Sequence, residues 1–455
     1  MQHQRMPRVE FCYDIACPWA YVASRRVEAL AARTNAELVW KPVLLSALLE
    51  SPAVPAASKG ARLKQAVRDR DLKLAVERHA VPFRRHPRHP LRTEAALRLI
   101  WSVPESHRAV LSCAIFRAYW VENLDVDRVS VLLLVARSIG LKEVNEAMLQ
   151  DPEARRQLHD ATQTCIDRGA PGVPNFWIAG SDDGKGELYW GQDQLHFVEA
   201  QLLSFQYGGE WRAVPNLLSL QHRLRPGRPS QHATTLRFWF DFGSYWSFLG
   251  WQQVERILAE AGPKCLLEPK PLLLGPLFRE ISDGTSPIMG LPPRSQKYMW
   301  ENGRTWQRWI NITTGKNTST IWPSNFPLRT VTALRVAILE PRTITPIFEA
   351  AWLKDVDIGD SEQLVKVLNA AGFDGAALLR DASINRNGCK EQLSQHYSEA
   401  ISLGIFGAPT FQVNNGHIIF GQDRLDVVQD MLAGWRSSLI PLADGERPVH
   451  RIAFM

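Results

Sequence analysis

The chain contains no run of 18 apolar residues, so nothing in it reads as a membrane-spanning helix. Cysteine is scarce. Cys12, Cys17, Cys113, Cys165, Cys265 and Cys389 are scattered, without the dense regular spacing of a secreted disulfide scaffold. No charged-then-apolar secretory leader opens the sequence, and Arg5 and Arg8 do not make a transit peptide. Charge of one sign is also lacking. The excess is +6, from 53 basic and 47 acidic residues spread along the chain, which does not call for a nucleic-acid partner. One local cluster (Arg84, Arg85, His86, Arg88, His89) reads as a solvated loop rather than an anion site. No metal site is expected. These absences point to a soluble protein in a reducing compartment: cytoplasmic, with the mitochondrion or peroxisome as alternatives.

What is present is 455 residues with an apolar fraction of 45%, enough for two or three domains with their own cores. A strand and helix run from about Arg8 to Arg33, with Val22, Val27, Leu30 and Ala31 forming the helical stripe. Glu37 to Val43 reads as a second strand, which completes a βαβ unit. Ser51 to Gly60 is a loop by composition. Strand signals then vanish from Ala61 to about Thr164, where helical stripes punctuated by Val81-Pro82, His86-Pro87 and His89-Pro90 mark an inserted helical subdomain. Gly172 to Ile178 opens a new strand, Gly180 to Gly186 is a hairpin loop, and Leu188 to Trp190 returns. A last helix follows Gln192 and Asp193. Tyr207 to Thr235, rich in Gly, Pro and Arg, is the linker candidate.

The second half repeats the first. Lys41-Pro42-Val43 returns as Lys270-Pro271-Leu272, and Pro90-Leu91-Arg92-Thr93 as Pro327-Leu328-Arg329-Thr330. Phe116, Ala118, Trp120 and Asp125 return as Phe348, Ala350, Trp352 and Asp357. Gly172-Val173-Pro174 returns as Gly407-Ala408-Pro409, and Trp190-Gly191-Gln192-Asp193 as Phe420-Gly421-Gln422-Asp423. Near-constant separations across these blocks exclude chance, so the chain is a tandem of two homologous domains. The expected boundaries are residues 1–206 with an insertion at about 61–164, a linker at 207–234, residues 235–442 with an insertion at about 285–400, and a tail at 443–455.

Four recurring features could carry chemistry, and each has a plain structural alternative. The first is the strand-to-helix junction, Cys17 in one copy and Ser244 in the other. A helix N-terminus stabilises negative charge, so a thiol there is expected to ionise more easily than a free one. A small buried cysteine is the alternative. The second is Val173-Pro174 and Ala408-Pro409, at a strand's first residue, where proline is tolerated anyway or forms a cis bond beside a ligand. The third is Gln192-Asp193 and Gln422-Asp423, either a helix N-cap or a cradle for an amino-acid head group. The fourth is a cation in the insertion, Lys64 in the first copy and Lys297 or Arg294 in the second, each otherwise an exposed basic residue.

Together these features resemble the 2-hydroxychromene-2-carboxylate isomerases and kappa-class glutathione transferases. The resemblance rests on Phe11, Tyr13, Asp14, Cys17, Pro18, Trp19 and Tyr21, and on Phe238, Phe240, Asp241, Ser244, Tyr245 and Phe248. Late in the chain it rests on Phe406-Gly407-Ala408-Pro409 and Phe420-Gly421-Gln422-Asp423-Arg424-Leu425. It implies an α/β fold: two tandem thioredoxin-like domains of the DsbA type, each with an inserted helical subdomain.

The resemblance also implies glutathione as cofactor. Ser244 would hydrogen-bond its sulfur, and the residue before a cis Pro174 or Pro409 would pair with its cysteinyl backbone. Gln192-Asp193 and Gln422-Asp423 would meet its γ-glutamyl end, and Lys64 and Lys297 its glycine carboxylate. The implied chemistry is isomerisation or conjugation of an electrophilic, unsaturated or aromatic small molecule. Departures bear on this. Cys17 replaces serine and has no second cysteine at position 20, Tyr245 replaces proline, and Ser295 stands at the family lysine position. The competing readings are a monothiol thiol-disulfide oxidoreductase working through Cys17, and a non-catalytic protein that binds glutathione or a partner. Two assemblies fit: a monomer whose tandem domains form a pseudo-dimer, or a homodimer.

Overall fold

A computed structural model describes residues 6–50, 58–180, 186–282, 284 and 288–442. The expected tail at 443–455, most of the Gly180 to Gly186 hairpin loop and most of the Ser51 to Gly60 loop lie outside the described residues. The chain divides into two compact units. Unit 1 comprises Met1–Pro52, Asp71–Gln221 and Leu291–Asn302; unit 2 comprises Ala53–Arg70, His222–Gly290 and Gly303–Met455.

Each unit holds one four-stranded sheet. In unit 1, β1 (Arg8–Tyr13) pairs in parallel with β2 (Glu37–Pro42) and antiparallel with β3 (Asn175–Ala179), which carries β4 (Gly186–Trp190) on its outer edge. In unit 2, β5 (Thr234–Phe240), β6 (Cys265–Pro271), β7 (Thr410–Val413) and β8 (Ile419–Phe420) repeat that order and those directions. The central strands are buried along most of their length, which suits the apolar runs Phe11–Tyr13 and Phe238–Phe240 that end them. Alternation still sorts the faces. Phe11 and Tyr13 stack on each other at 5.0 Å and meet Trp40 and Phe176. Phe238 and Phe240 stack likewise at 5.4 Å and meet Phe411 and Phe348.

The first helix differs between copies. In unit 1 it breaks into Pro18–Ser24 and Val27–Arg33, with Arg26 in the break at φ −125°. In unit 2 it runs unbroken over Tyr245–Ala261. The helical insertions are present in both copies. Their leading helices, Lys59–Arg78 and Pro293–Thr314, have 20 and 22 residues and so span about 30 Å. Each helix is long enough to contribute to both units.

The linker candidate is not a free tether. Trp211, Val214 and Leu217 are buried in unit 1, where Trp211 stacks on Phe197 at 5.6 Å and donates Nε1–H to Gln201 at 2.7 Å. In unit 2, Arg223 binds Glu260 and Asp430, and the Leu224 and Arg225 amides donate to the buried Asp430 carboxylate. The basic cluster is tied to acids: Arg88 pairs with Asp125 and Asp127, and His86 lies 3.5 Å from Asp125. Among the described residues, no helix is long and apolar enough to cross a membrane.

Candidate active site

Both copies build the same frame at the end of the central strand. In unit 1 the chain leaves β1 at Asp14, whose buried carboxylate accepts from the Ala16 amide (2.9 Å), the Leu45 amide (2.9 Å) and the Thr93 hydroxyl (2.6 Å). Burial pushes this carboxyl above its ordinary range, and the three donors oppose that shift. In unit 2 the Asp241 carboxylate accepts from the Gly243 and Leu274 amides at 3.0 Å each and from the Thr330 side chain. These aspartates lock the junction loop.

Cys17 follows. Its amide donates to the Asp14 carbonyl at 3.0 Å, and its thiol donates to the Val173 carbonyl at 3.2 Å. Ser244 does the same, through the Asp241 carbonyl (3.0 Å) and the Ala408 carbonyl (3.0 Å). Ser244 also accepts from the Ser247 amide at 3.1 Å, as a helix N-cap. The Val173-Pro174 and Ala408-Pro409 bonds are both cis, as are His89-Pro90 and Phe326-Pro327. The Pro174 carbonyl accepts from the Gly191 amide (2.9 Å), and the Pro409 carbonyl from the Gly421 amide (3.0 Å). Junction residue, cis-proline loop and Gly-Gln-Asp turn therefore form one hydrogen-bonded unit in each copy.

The expectation of an easily ionised Cys17 fails. Burial pushes its thiol up to about 12, outweighing the Ala20 and Trp19 amides that favour the thiolate, and the Asp14 charge adds to the rise. A seven-residue helix contributes little at this depth, and the thiol's partner is a carbonyl acceptor.

Gln192 and Asp193 do not cap the last helix. They lie in a 3-10 turn before the Leu195–Ser204 helix, with no side-chain cap bond. Gly191 and Gly421 enter these turns at φ +112° and +95°, where a Cβ would also strike the Asp193 or Asp423 carboxylate. The Gln192 side chain accepts from the Arg26 guanidinium at 2.7 Å, and its carbonyl accepts from the same group at 3.1 Å. In the other copy Gln422 accepts from Gln253 at 3.3 Å, and Asp423 pairs with Arg424 at 3.0 Å. Arg26 was missed in the sequence because its counterpart, Gln253, is neutral, so the repeat hides it.

The two lysines do not keep the copies they were read with. Lys64 belongs to unit 2, with Ser244, and Lys297 to unit 1, with Cys17. Lys64 is half-buried, and burial together with the Arg68 charge lowers its pKa to about 8. Lys297 is solvent-exposed, 4.0 Å from Glu301. Arg294 donates to the Leu48 carbonyl and lies 3.9 Å from Glu50. Next to Lys297 stands a residue that no motif marks. Tyr298 is buried in unit 1, accepts from the Trp190 amide (2.7 Å) and donates to Gln194 (3.2 Å), while Asn302 accepts from Gln194 at 2.8 Å.

Comparison with known proteins identifies the family. The DSBA-like thioredoxin domain family matches residues 8–203 and again 235–433. A 2-hydroxychromene-2-carboxylate isomerase from Pseudomonas putida is 22% identical over 196 residues, 43% of this chain and 93% of that protein. Among solved structures, a 2-hydroxychromene-2-carboxylate isomerase has a TM-score of 0.37 at 22% identity, covering 44% of this chain and 98% of its own. The cytosolic disulfide reductase DsbM from Pseudomonas aeruginosa has a TM-score of 0.32 at 21% identity, covering 43% and 98%. The family covers most of the chain in two successive matches, so this protein belongs to the DSBA-like thioredoxin domain family and carries the domain twice.

Proposed function

We propose that the chain is a glutathione-dependent isomerase or transferase acting on an electrophilic, unsaturated or aromatic small molecule in a reducing compartment. One observation carries this reading: Cys17 and Ser244 make the same bond to the carbonyl before a cis-proline. A position that accepts a hydroxyl or a thiol in one frame does not depend on a cysteine redox cycle. The name of the Pseudomonas putida relative points the same way.

The residues present fit glutathione. Ser244 would turn its hydroxyl from the Ala408 carbonyl toward the ligand's sulfur and hold it as a thiolate, with the Ser247 amide keeping the oxygen in place. Gln422 and Asp423 would receive the γ-glutamyl end, and Lys64 supplies a cation in the same unit. In unit 1, Arg26 and Gln192 would hold a carboxylate and Asp193 an ammonium. Bound glutathione supplies a nucleophilic sulfur able to add to a conjugated double bond. Cys17 would donate to that sulfur as a neutral thiol, since its own proton is held to about 12.

The alternative, a monothiol oxidoreductase, has one observation in its favour: a sulfur at the junction itself. Turnover separates the two. With glutathione and a panel of conjugated electrophiles, Cys17→Ser should retain activity and Ser244→Ala should lose about tenfold or more. Loss of reduction of a glutathionylated substrate in Cys17→Ser, with no electrophile turned over by either form, would replace this reading with the alternative.

A further inference from the structure

Unit 1 contains a second sulfur site, away from the junction. Cys12 lies on β1 on the face opposite Phe11 and Tyr13, paired in register with Asn175 of β3. Cys165 lies in the last turn of the Pro152–Asp167 helix, and its sulfur is 3.9 Å from the Asn175 side-chain amide. Cys12, the register partner of Asn175, and Cys165, in contact with the Asn175 side chain, share that neighbour. Both are buried, at 0% and 2% exposure, and both are free thiols.

Packing does not require sulfur here. The same register in unit 2 places Trp239 opposite Thr410, and Trp239 packs with Ala400 in a core cluster of apolar side chains. Ala400 and Cys165 hold matching places in their helices, each accepting at its carbonyl from the amide five residues on, Ile405 and Ala170, at 2.9 Å. An indole and a methyl fill in one copy what two thiols fill in the other. Around the thiols stand charges. Glu10 is bound by Arg168 and lies 2.8 Å from Lys41.

We propose that Cys12 and Cys165 form a redox-active dithiol site that a small hydroperoxide converts to an intramolecular disulfide. The two sulfurs are not equivalent. The neighbouring Cys12 thiol holds Cys165 below the ordinary thiol range, with Asn175 and the Arg168 charge adding to this against burial. The Cys165 thiol and burial hold Cys12 well above it. Cys165, in the last helical turn and next to Arg168, is thus the attacking sulfur, and Cys12, fully buried on the central strand, the resolving one. In the first step the Cys165 thiolate attacks one oxygen of hydrogen peroxide. The O–O bond breaks, and the leaving hydroxide takes up the proton that Cys165 released on ionising, giving water. In the second, the Cys12 sulfur attacks the Cys165 sulfenic acid, the S–S bond forms, and a second water leaves. Two thiols are oxidised by two electrons and one peroxide is reduced to two waters; a thiol reductant reverses the result. Access requires opening of the last helical turn, which the Arg168–Glu10 pair and the Ala170 amide bond to the Cys165 carbonyl hold closed.

The site touches the candidate active site without being part of it. Asn175 follows the cis-proline, and its side chain also donates to the Gly172 carbonyl at 3.0 Å. Drawing Cys165 toward Cys12 removes one of the two contacts that fix Asn175 beside that loop. The proposal stands whether or not the chain uses glutathione.

The test treats the full chain with graded hydrogen peroxide, alkylates the remaining thiols in denaturant, digests without reduction and maps the peptides by mass. The expected result is a Cys12–Cys165 linked pair, lighter than its two reduced peptides by two hydrogens and separated by dithiothreitol. In Cys12→Ala, dimedone should label Cys165; in Cys165→Ala, Cys12 should stay unlabelled at the same dose. Recovery of Cys12 and Cys165 as free thiols while Cys113 is oxidised, or linkage of Cys12 to Cys17, would overturn the proposal.

Discussion

At the scale of single residues, Cys17 shows that position alone does not set reactivity. A helix N-terminus favours a thiolate, but full burial and a carbonyl acceptor oppose it more strongly, and the thiol is held to about 12. The folded value lies above the ordinary 9.0. The stabilising effect of the neutral thiol is therefore complete below pH 9.0 and lost as pH rises toward about 12. Denaturant midpoints across that window should fall more steeply for the natural chain than for Cys17→Ser; parallel curves would contradict the assignment. Arg26 offers a second residue-scale test. Its guanidinium gives unit 1 a charged partner for Gln192 where unit 2 places the neutral Gln253 against Gln422. Arg26→Gln should weaken a carboxylate-bearing ligand at the Cys17 site by roughly tenfold and leave the Ser244 site unchanged, read by calorimetry.

Among elements, the central strands, the junction turns and the cis-proline loops were legible because their signals are local. Phe11, Tyr13, Phe238 and Phe240 mark buried strands by type, and the repeat aligns the turns without further information. The long insertion helices were legible as helices but not as to which core they cover. An apolar stripe says that a face is buried, not against what. So the order of the chain does not reveal that Lys64 belongs to unit 2 and Lys297 to unit 1, and nothing local marks Tyr298. The Tyr245 departure also acquires a physical sense. Its hydroxyl lies 3.3 Å from the Gly303 carbonyl and 3.2 Å from the Thr320 hydroxyl, and a Cβ on Gly303 would sit 2.5 Å from its ring. Gly303→Ala should cost about 1–3 kcal/mol in urea unfolding. Adding Tyr245→Ala should make the glycine substitution nearly neutral, since the pair share one contact. Equal costs in both backgrounds would show that they do not.

For the whole molecule, the expected linker hid anchors. Gly, Pro and Arg set the composition of residues 207–234, but a few apolar side chains are enough to fix such a segment, and Trp211 is fully buried. Trp211→Ala should destabilise the chain by about 3–5 kcal/mol in denaturant, because it vacates a stacked, hydrogen-bonded indole. A change near zero would return the segment to the status of a tether. The unit boundaries also bear on dissection. Unit 1 includes Leu291–Asn302, so a fragment ending at Gln221 lacks part of its own fold. Binding is therefore best measured on the intact chain.

Under the proposed function, both copies would hold the sulfur of glutathione in one shared frame, through Cys17 in one and Ser244 in the other. Calorimetric titration of the intact chain with glutathione, repeated on Cys17→Ala and Ser244→Ala, tests it directly. The expected outcome is two sites per chain, each weakened by its own substitution and indifferent to the other. Absence of any glutathione binding, or binding that neither substitution disturbs, would contradict the account.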